Sequence, residues 1–156
     1  MNMEECIVDI ENDEIFDDYR YANYKSLIFN NFGPEIRVFQ DFKLGKGGIL
    51  WESSYVLGRF LQGLDMNNKI VLELGAGTAL VSIIAGSKGA IVYSTDIAPI
   101  LSVTNLSINY NSQLYANPIS VNELDWTNEL HRQNLKAPKF DYLILSDLFY
   151  LPVNST

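Results

Sequence analysis

The sequence predicts an α/β fold, a doubly wound parallel sheet preceded by a strand-rich N-terminal segment. Two observations carry this. From Lys69 onward, short apolar runs alternate with helix-forming stretches in the order strand, helix, strand, helix, strand, helix, strand. Each apolar run then gives way to glycine, serine or an acidic residue, and strands separated by helices lie parallel, because parallel neighbours need right-handed crossover connections.

Taken in order, residues 1–44 are polar and acidic, with β-like runs from Cys6 to Ile10, Tyr24 to Phe29 and Ile36 to Phe39. The turn signal Asn31-Phe32-Gly33-Pro34 separates the last two. This part is expected to form a β-rich extension, and residues 45–156 the core domain. A Gly-rich turn, Leu44 to Gly48, leads into WESSYVLGRFLQGL, where Leu50, Val56, Leu57, Phe60, Leu61 and Leu64 recur at near-helical spacing. That spacing predicts a helix over 52–64, with Ser53 or Ser54 helping to cap its start. Core strands are expected over 70–74, 90–95, 119–121 and 140–145, and helices over 79–87, 99–110 and 127–134. No internal repeat or low-complexity linker interrupts the series.

At 156 residues and 47% hydrophobic content, the chain can bury one real core. Eleven Lys and Arg against 19 Asp and Glu leave a net charge of −8, with no basic run to track a phosphate backbone. A nucleic-acid partner is not expected. Cys6 has no second cysteine to pair with, so neither an internal disulfide nor a cysteine metal site can form, which fits a reducing compartment. The start MNMEECIVDIENDE lacks a secretory signal, and no apolar stretch approaches a membrane span, so no membrane association and a cytoplasmic or nuclear location are expected. His131, the one histidine, lies in the polar stretch NELHRQN and reads as a solvated surface residue; a histidine-ligated metal is not expected.

In an open parallel sheet, ligands bind outside the carboxyl ends of the strands, near the point where strand order reverses. Four clusters would face that crevice: Glu73 to Ala79, Asp96, Glu123 to Trp126, and Ser146-Asp147. Glycines in the first let the backbone pass close to a ligand. A dinucleotide fingerprint wants a small residue where Leu80 stands, and Glu73 at the mouth of the turn opposes a pyrophosphate. An ammonium or sulfonium tolerates that carboxylate, so S-adenosylmethionine is the better match. Asp96, about twenty residues beyond the glycines, is spaced to accept hydrogen bonds from ribose hydroxyls.

The segments GKGGILWESS, IVLELGAGTAL, STD, ELDW and SDLFY, in that order from Gly45 to Tyr150, resemble the seven-β-strand class I methyltransferases with their Rossmann-like sheet. More narrowly, they are similar to the methyltransferase-like protein-lysine methyltransferases. The resemblance implies S-adenosylmethionine as cofactor and the lysine side chain of a protein as substrate. It implies that Gly75, Ala76 and Gly77 line the methionine and ribose portion, and that Asp96 holds the ribose. Asp125 would approach the adenine amine through its carboxylate or backbone, while the Trp126 indole lies against the ring. Trp51 would close over the cofactor, Glu73 would reach the methionine ammonium directly or through water, and Ser146 would complete the cofactor side. On the substrate side, Asp147 would orient the lysine, its other reading being a helix N-cap, and Tyr150 would form an aromatic wall.

Two departures from the family pattern bear on activity. Ala79 stands where a third glycine is usual; its methyl is either tolerated at the helix start or crowds the cofactor, and weakened rather than abolished binding is expected. The sequence also stops just after its fourth core strand, where the family fold continues, so 140–145 is expected to present an unpaired apolar edge to a partner. A catalytically inactive methyltransferase-like binding module, or a truncated fragment, is therefore the alternative to an active enzyme.

Overall fold

The computed structural model describes residues 22–27, 35–135 and 139–148; the run from Cys6 to Ile10, the turn at 31–34 and Tyr150 lie outside them. Strands β1 (Ala22–Leu27) and β2 (Ile36–Asp41) pair antiparallel, from Ala22 opposite Asp41 to Leu27 opposite Ile36. β2 continues directly into a 3₁₀ segment, Phe42–Gly48, where the sequence shows only a Gly-rich turn. The Asp41 carboxylate starts it by accepting from the Lys43 N–H at 2.9 Å, and Gly45, at φ 65°, kinks it.

Helix α1 (Glu52–Gln62) follows, but its cap differs from expectation. Trp51 is the N-cap and makes no side-chain capping bond. The Ser53 and Ser54 hydroxyls instead meet Ser146 Oγ across the fold, at 3.2 and 3.5 Å. The apolar residues of α1 also divide. Leu61 is buried, while Val56 and Phe60, one turn apart on another face, are exposed.

Four parallel strands then build the sheet: β3 (Ile70–Leu74), β4 (Ile91–Asp96), β5 (Ser120–Glu123) and β6 (Tyr142–Leu145). Their spatial order is β5-β4-β3-β6. The chain thus steps outward from β3 through β4 to β5, then returns to place β6 on the other side of β3. That reversal puts the switch point between β3 and β6, at the carboxyl end of both. Helices α2 (Leu80–Ser87), α3 (Leu101–Tyr110) and α4 (Glu129–Asn134) occupy the connections.

α2 is largely apolar and is buried from Leu80 to Gly86, as a helix enclosed between neighbours must be, with the buried Ser82 hydroxyl satisfied by a hydrogen bond. Its Leu80, Ile83 and Ile84 share one core with Val71, Val92 and Ile144 of the sheet and with Leu27, Ile36 and Val38 of the hairpin. Asn111, fully buried at the end of α3, fastens the hairpin to the helix. It accepts from the Arg37 N–H at 3.0 Å and donates to the Arg37 carbonyl at 2.6 Å.

Candidate functional site

The turn after β3 is the keystone of the crevice. Gly75 and Gly77 have φ of 62° and 53°, a region that costs a side-chain-bearing residue about 1–2 kcal/mol. Tertiary contacts fix the turn. The Ala76 N–H donates to the Thr95 carbonyl at 2.9 Å, the Thr104 hydroxyl donates to the Gly77 carbonyl at 2.7 Å, and the Gly77 N–H donates to Asp96 Oδ2 at 2.8 Å. A Cβ at Gly77 would lie 3.0 Å from the Gly47 carbonyl oxygen, so the 3₁₀ segment closes tightly over this turn.

Asp96 ends β4 and accepts one backbone N–H on each oxygen, from Gly77 and from Ile97, both at 2.8 Å. Each oxygen keeps a further lone pair. Burial raises its pKa, against the lowering effect of those two N–H groups. Asp125 is half-buried, and its pKa is lowered, chiefly because Oδ1 accepts from the Thr127 hydroxyl at 2.6 Å and the Thr127 N–H at 2.9 Å.

These groups surround a crevice of about 500 Å³, within the range of small-molecule sites. Of the residues expected from sequence, Trp51, Gly75, Ala76, Gly77, Asp96, Asp125, Trp126, Ser146 and Asp147 all line it. Trp51 is set by its indole N–H, which donates to the Lys46 carbonyl at 2.9 Å. Asp147 has φ 53°, a left-handed conformation rather than the extended one usual for a helix N-cap.

Glu73 is the exception. Its carboxyl group is 2% exposed, accepts from the Ser82 hydroxyl of α2, and does not line the crevice. Burial pushes its pKa up to about 7. A direct contact with an ammonium in the crevice is not what this geometry offers; Glu73 instead ties β3 to the first turn of α2. For Ala79 the geometry agrees with a methyl tolerated at the helix start. It is fully buried at φ 66° and does not line the crevice, so its methyl packs into the core instead of crowding a ligand.

Sequence reasoning missed several lining residues, among them Lys46, Gly47, Ile97, Ile100 and Leu148. Ile97 was legible in principle, because it directly follows the strand-end acid and so stands at the same carboxyl end of the sheet. Gly47 and Leu148 were not, since their approach to the turn depends on how separate segments converge. His131 is also corrected. Far from being merely solvated, it is half-buried, and its Nδ1 accepts the Asp125 N–H at 3.1 Å.

The crevice is lined by three carboxylates, Asp96, Asp125 and Asp147, and one ammonium, Lys46. That balance suits a ligand carrying positive charge better than a pyrophosphate. Apolar Ile97, Ile100 and Trp126 beside Asp96 suit a flat ring attached to a ribose.

Comparison with known proteins agrees with the geometry. A family model described as lysine methyltransferase matches residues 30–155. The chain is 36% identical over 120 residues to protein N-lysine methyltransferase METTL21A of Danio rerio, covering 74% of this chain and 54% of that protein. It is 34% identical over 128 residues to protein-lysine methyltransferase METTL21E of Mus musculus, covering 78% and 52%. With EEF1A lysine methyltransferase 3 of Xenopus tropicalis it shares 33% identity over 125 residues, covering 76% and 53%. The chain thus spans about half the length of these curated relatives. In fold it is similar to a solved structure from Streptococcus mutans described as a SAM-dependent methyltransferase, with TM-score 0.52 and 18% identity, covering 76% of this chain and 34% of that one. Sheet order, crevice position and a family match over most of its length agree: the chain belongs to the lysine methyltransferase family.

Proposed function

We propose that this chain binds S-adenosylmethionine in the crevice at the ends of β3, β4 and β6 and serves N-methylation of a protein lysine. The observation that carries the reading is Asp96. Its carboxylate is pinned to the Gly turn and to Ile97, lines the crevice, and retains a lone pair on each oxygen for a pair of ribose hydroxyls. The names of the relatives support the substrate class, and the family and fold support the cofactor.

When bound, S-adenosylmethionine supplies a methyl group on a sulfonium, open to in-line attack by a neutral amine. The chain's own residues bind and align. The Gly75 to Gly77 turn allows close backbone approach, Trp126 and Ile97 would flank the adenine, and Asp125 would face its edge. Trp51, Ser54 and Ser146 line the crevice, where they would form the wall toward the methionine portion. Asp147 stands at the same mouth, where it orients the incoming lysine. It is not a general base, because a carboxylate beside a lysine of pKa about 10.4 raises that pKa further. Alignment of nucleophile and methyl therefore carries most of the rate effect. Tyr150, outside the described residues, is proposed as the aromatic wall on the substrate side.

Calorimetry with S-adenosylmethionine, S-adenosylhomocysteine and NAD tests the cofactor. Binding of the first two and not the third is expected, and failure of both to bind would overturn the reading. Transfer of labelled methyl from S-adenosylmethionine to lysine in lysate proteins then tests catalysis; cofactor binding without transfer would favour an inactive binding module.

A further inference from the structure

The segment that flanks the adenine side of the crevice is organised by α4, and its central contact comes from His131. The Asp125 N–H donates to His131 Nδ1 at 3.1 Å, which fixes the imidazole as the tautomer protonated on Nε2. Thr127 occupies Asp125 Oδ1 with two hydrogen bonds, and the Asn128 N–H donates to the Asp125 carbonyl at 3.0 Å. The Arg132 guanidinium donates to the Trp126 carbonyl. Asp125 N–H, carbonyl and Oδ1 are thus all engaged within the protein. Among the described residues, no side-chain donor reaches Asp125 Oδ2, and Asp125 lines the crevice while His131 does not.

We propose that His131 is a positioning residue that sets base selectivity: by holding the Asp125 N–H, it fixes the segment so that an acceptor, Oδ2, is the group that meets the purine edge. This rests on the cofactor reading above. An acceptor at that point matches the 6-amino group of adenine and repels the 6-oxo group of hypoxanthine, which needs a donor. Without the His131 contact the Asp125 backbone is no longer held at its N–H, Oδ2 loses its fixed aim at the purine edge, and discrimination falls. The selectivity of the site therefore resides partly in a side chain that never touches the ligand.

The test compares S-adenosylhomocysteine with S-inosylhomocysteine by calorimetry on the full 156-residue chain, as wild type, His131→Leu and His131→Asn. Asn offers an acceptor oxygen near the place of Nδ1; Leu offers none. The wild type should prefer the adenosyl ligand by about tenfold or more, the contribution of one matched against one mismatched hydrogen bond. His131→Leu should narrow that ratio severalfold, and His131→Asn should restore most of it. An unchanged ratio in His131→Leu, or a ratio in His131→Asn equal to that in His131→Leu, overturns the proposal. Amide exchange at Asp125 provides a second readout that needs no ligand, and should quicken in His131→Leu but not in His131→Asn. If the wild type bound neither ligand, the cofactor reading and the selectivity claim would fall together. Normal exchange behaviour would then show that the cofactor reading, and not the His131 contact, was at fault.

Discussion

At the scale of single residues, Gly75 and Gly45 separate two reasons for needing glycine. Both have φ above 60°, but a Cβ at Gly45 meets nothing within 4 Å, whereas at Gly75 it would collide with Leu148 Cδ2. Gly45→Ala should destabilise by about 1–3 kcal/mol, from backbone strain alone, because φ 65° with ψ −143° is a conformation essentially confined to glycine. Gly75→Ala should cost at least that much in urea denaturation and should also displace Leu148 from the crevice wall. Equal losses would mean that Leu148 yields freely. For Asp96, replacement by Ala removes both the ribose acceptor and the clasp on the Gly turn. S-adenosylhomocysteine affinity should then fall by tenfold or more, and unchanged affinity would displace the ribose from this position. Glu73 has a stability signature that follows from its burial. Its pKa rises from 4.5 to about 7 on folding, so between those values the folded state binds more protons than the unfolded chain. The Glu73 contribution to stability is therefore complete below about pH 4.5 and is lost as pH rises through 7, by an amount on the order of 3 kcal/mol. Asp96 adds in the same direction, so the comparison that isolates Glu73 is Glu73→Gln, whose urea midpoint should fall less steeply from pH 5 to 8. Parallel curves for the two proteins would show that Glu73 ionises in the fold without penalty.

At the scale of elements, the repeating core was legible because strand and helix periods differ and because the residues that end each strand are chemically marked. Ile70 to Leu74 matched β3 at both ends, and Asp96 stands where β4 stops. Elements whose form depends on distant contacts were not legible. The serines at the start of α1 read as caps, yet their hydroxyls turn to Ser146 at the end of β6. Val56 and Phe60 fit the helical period of α1 and remain exposed, because the spacing places a residue on a face without saying which face is covered. Nor could the sequence show that β2 is held edge-on by a side chain. Asn111 imitates a neighbouring strand, offering Oδ1 to the Arg37 N–H and Nδ2 to the Arg37 carbonyl. Asn111→Leu keeps similar volume but leaves both groups unpaired, at a cost of about 2–3 kcal/mol. Thermal unfolding should register that loss, and amide exchange in β2 should accelerate more than in β3. Uniform acceleration across both strands would show that the hairpin and sheet unfold as one unit.

At the scale of the whole molecule, the sheet has an asymmetry that its charge only partly offsets. β6 pairs with β3 on one side, and among the described residues no strand covers its other edge. Along it, Ile144 faces the core, while Leu143 and Leu145 are 55% and 40% exposed. Two leucines alternating on an open strand are a template for pairing with another chain, and full burial of each would contribute about 1.5–3 kcal/mol. The net charge of −8 opposes association of like chains, but screening at physiological salt limits that repulsion to within about 8 Å. Self-association that strengthens with salt is therefore expected, visible as a rising sedimentation coefficient when protein concentration is increased. Leu143→Lys with Leu145→Lys should return the chain toward a monomer, since each lysine keeps the strand's backbone bonds to β3 while placing charge on the open edge. The exposed pair on α1 supplies the control. Val56→Lys with Phe60→Lys removes a comparable apolar patch from a helix, where no backbone groups await partners. If that variant became monomeric while the β6 variant still associated, the contact would belong to the helix face and the sheet edge would be sealed in some other way.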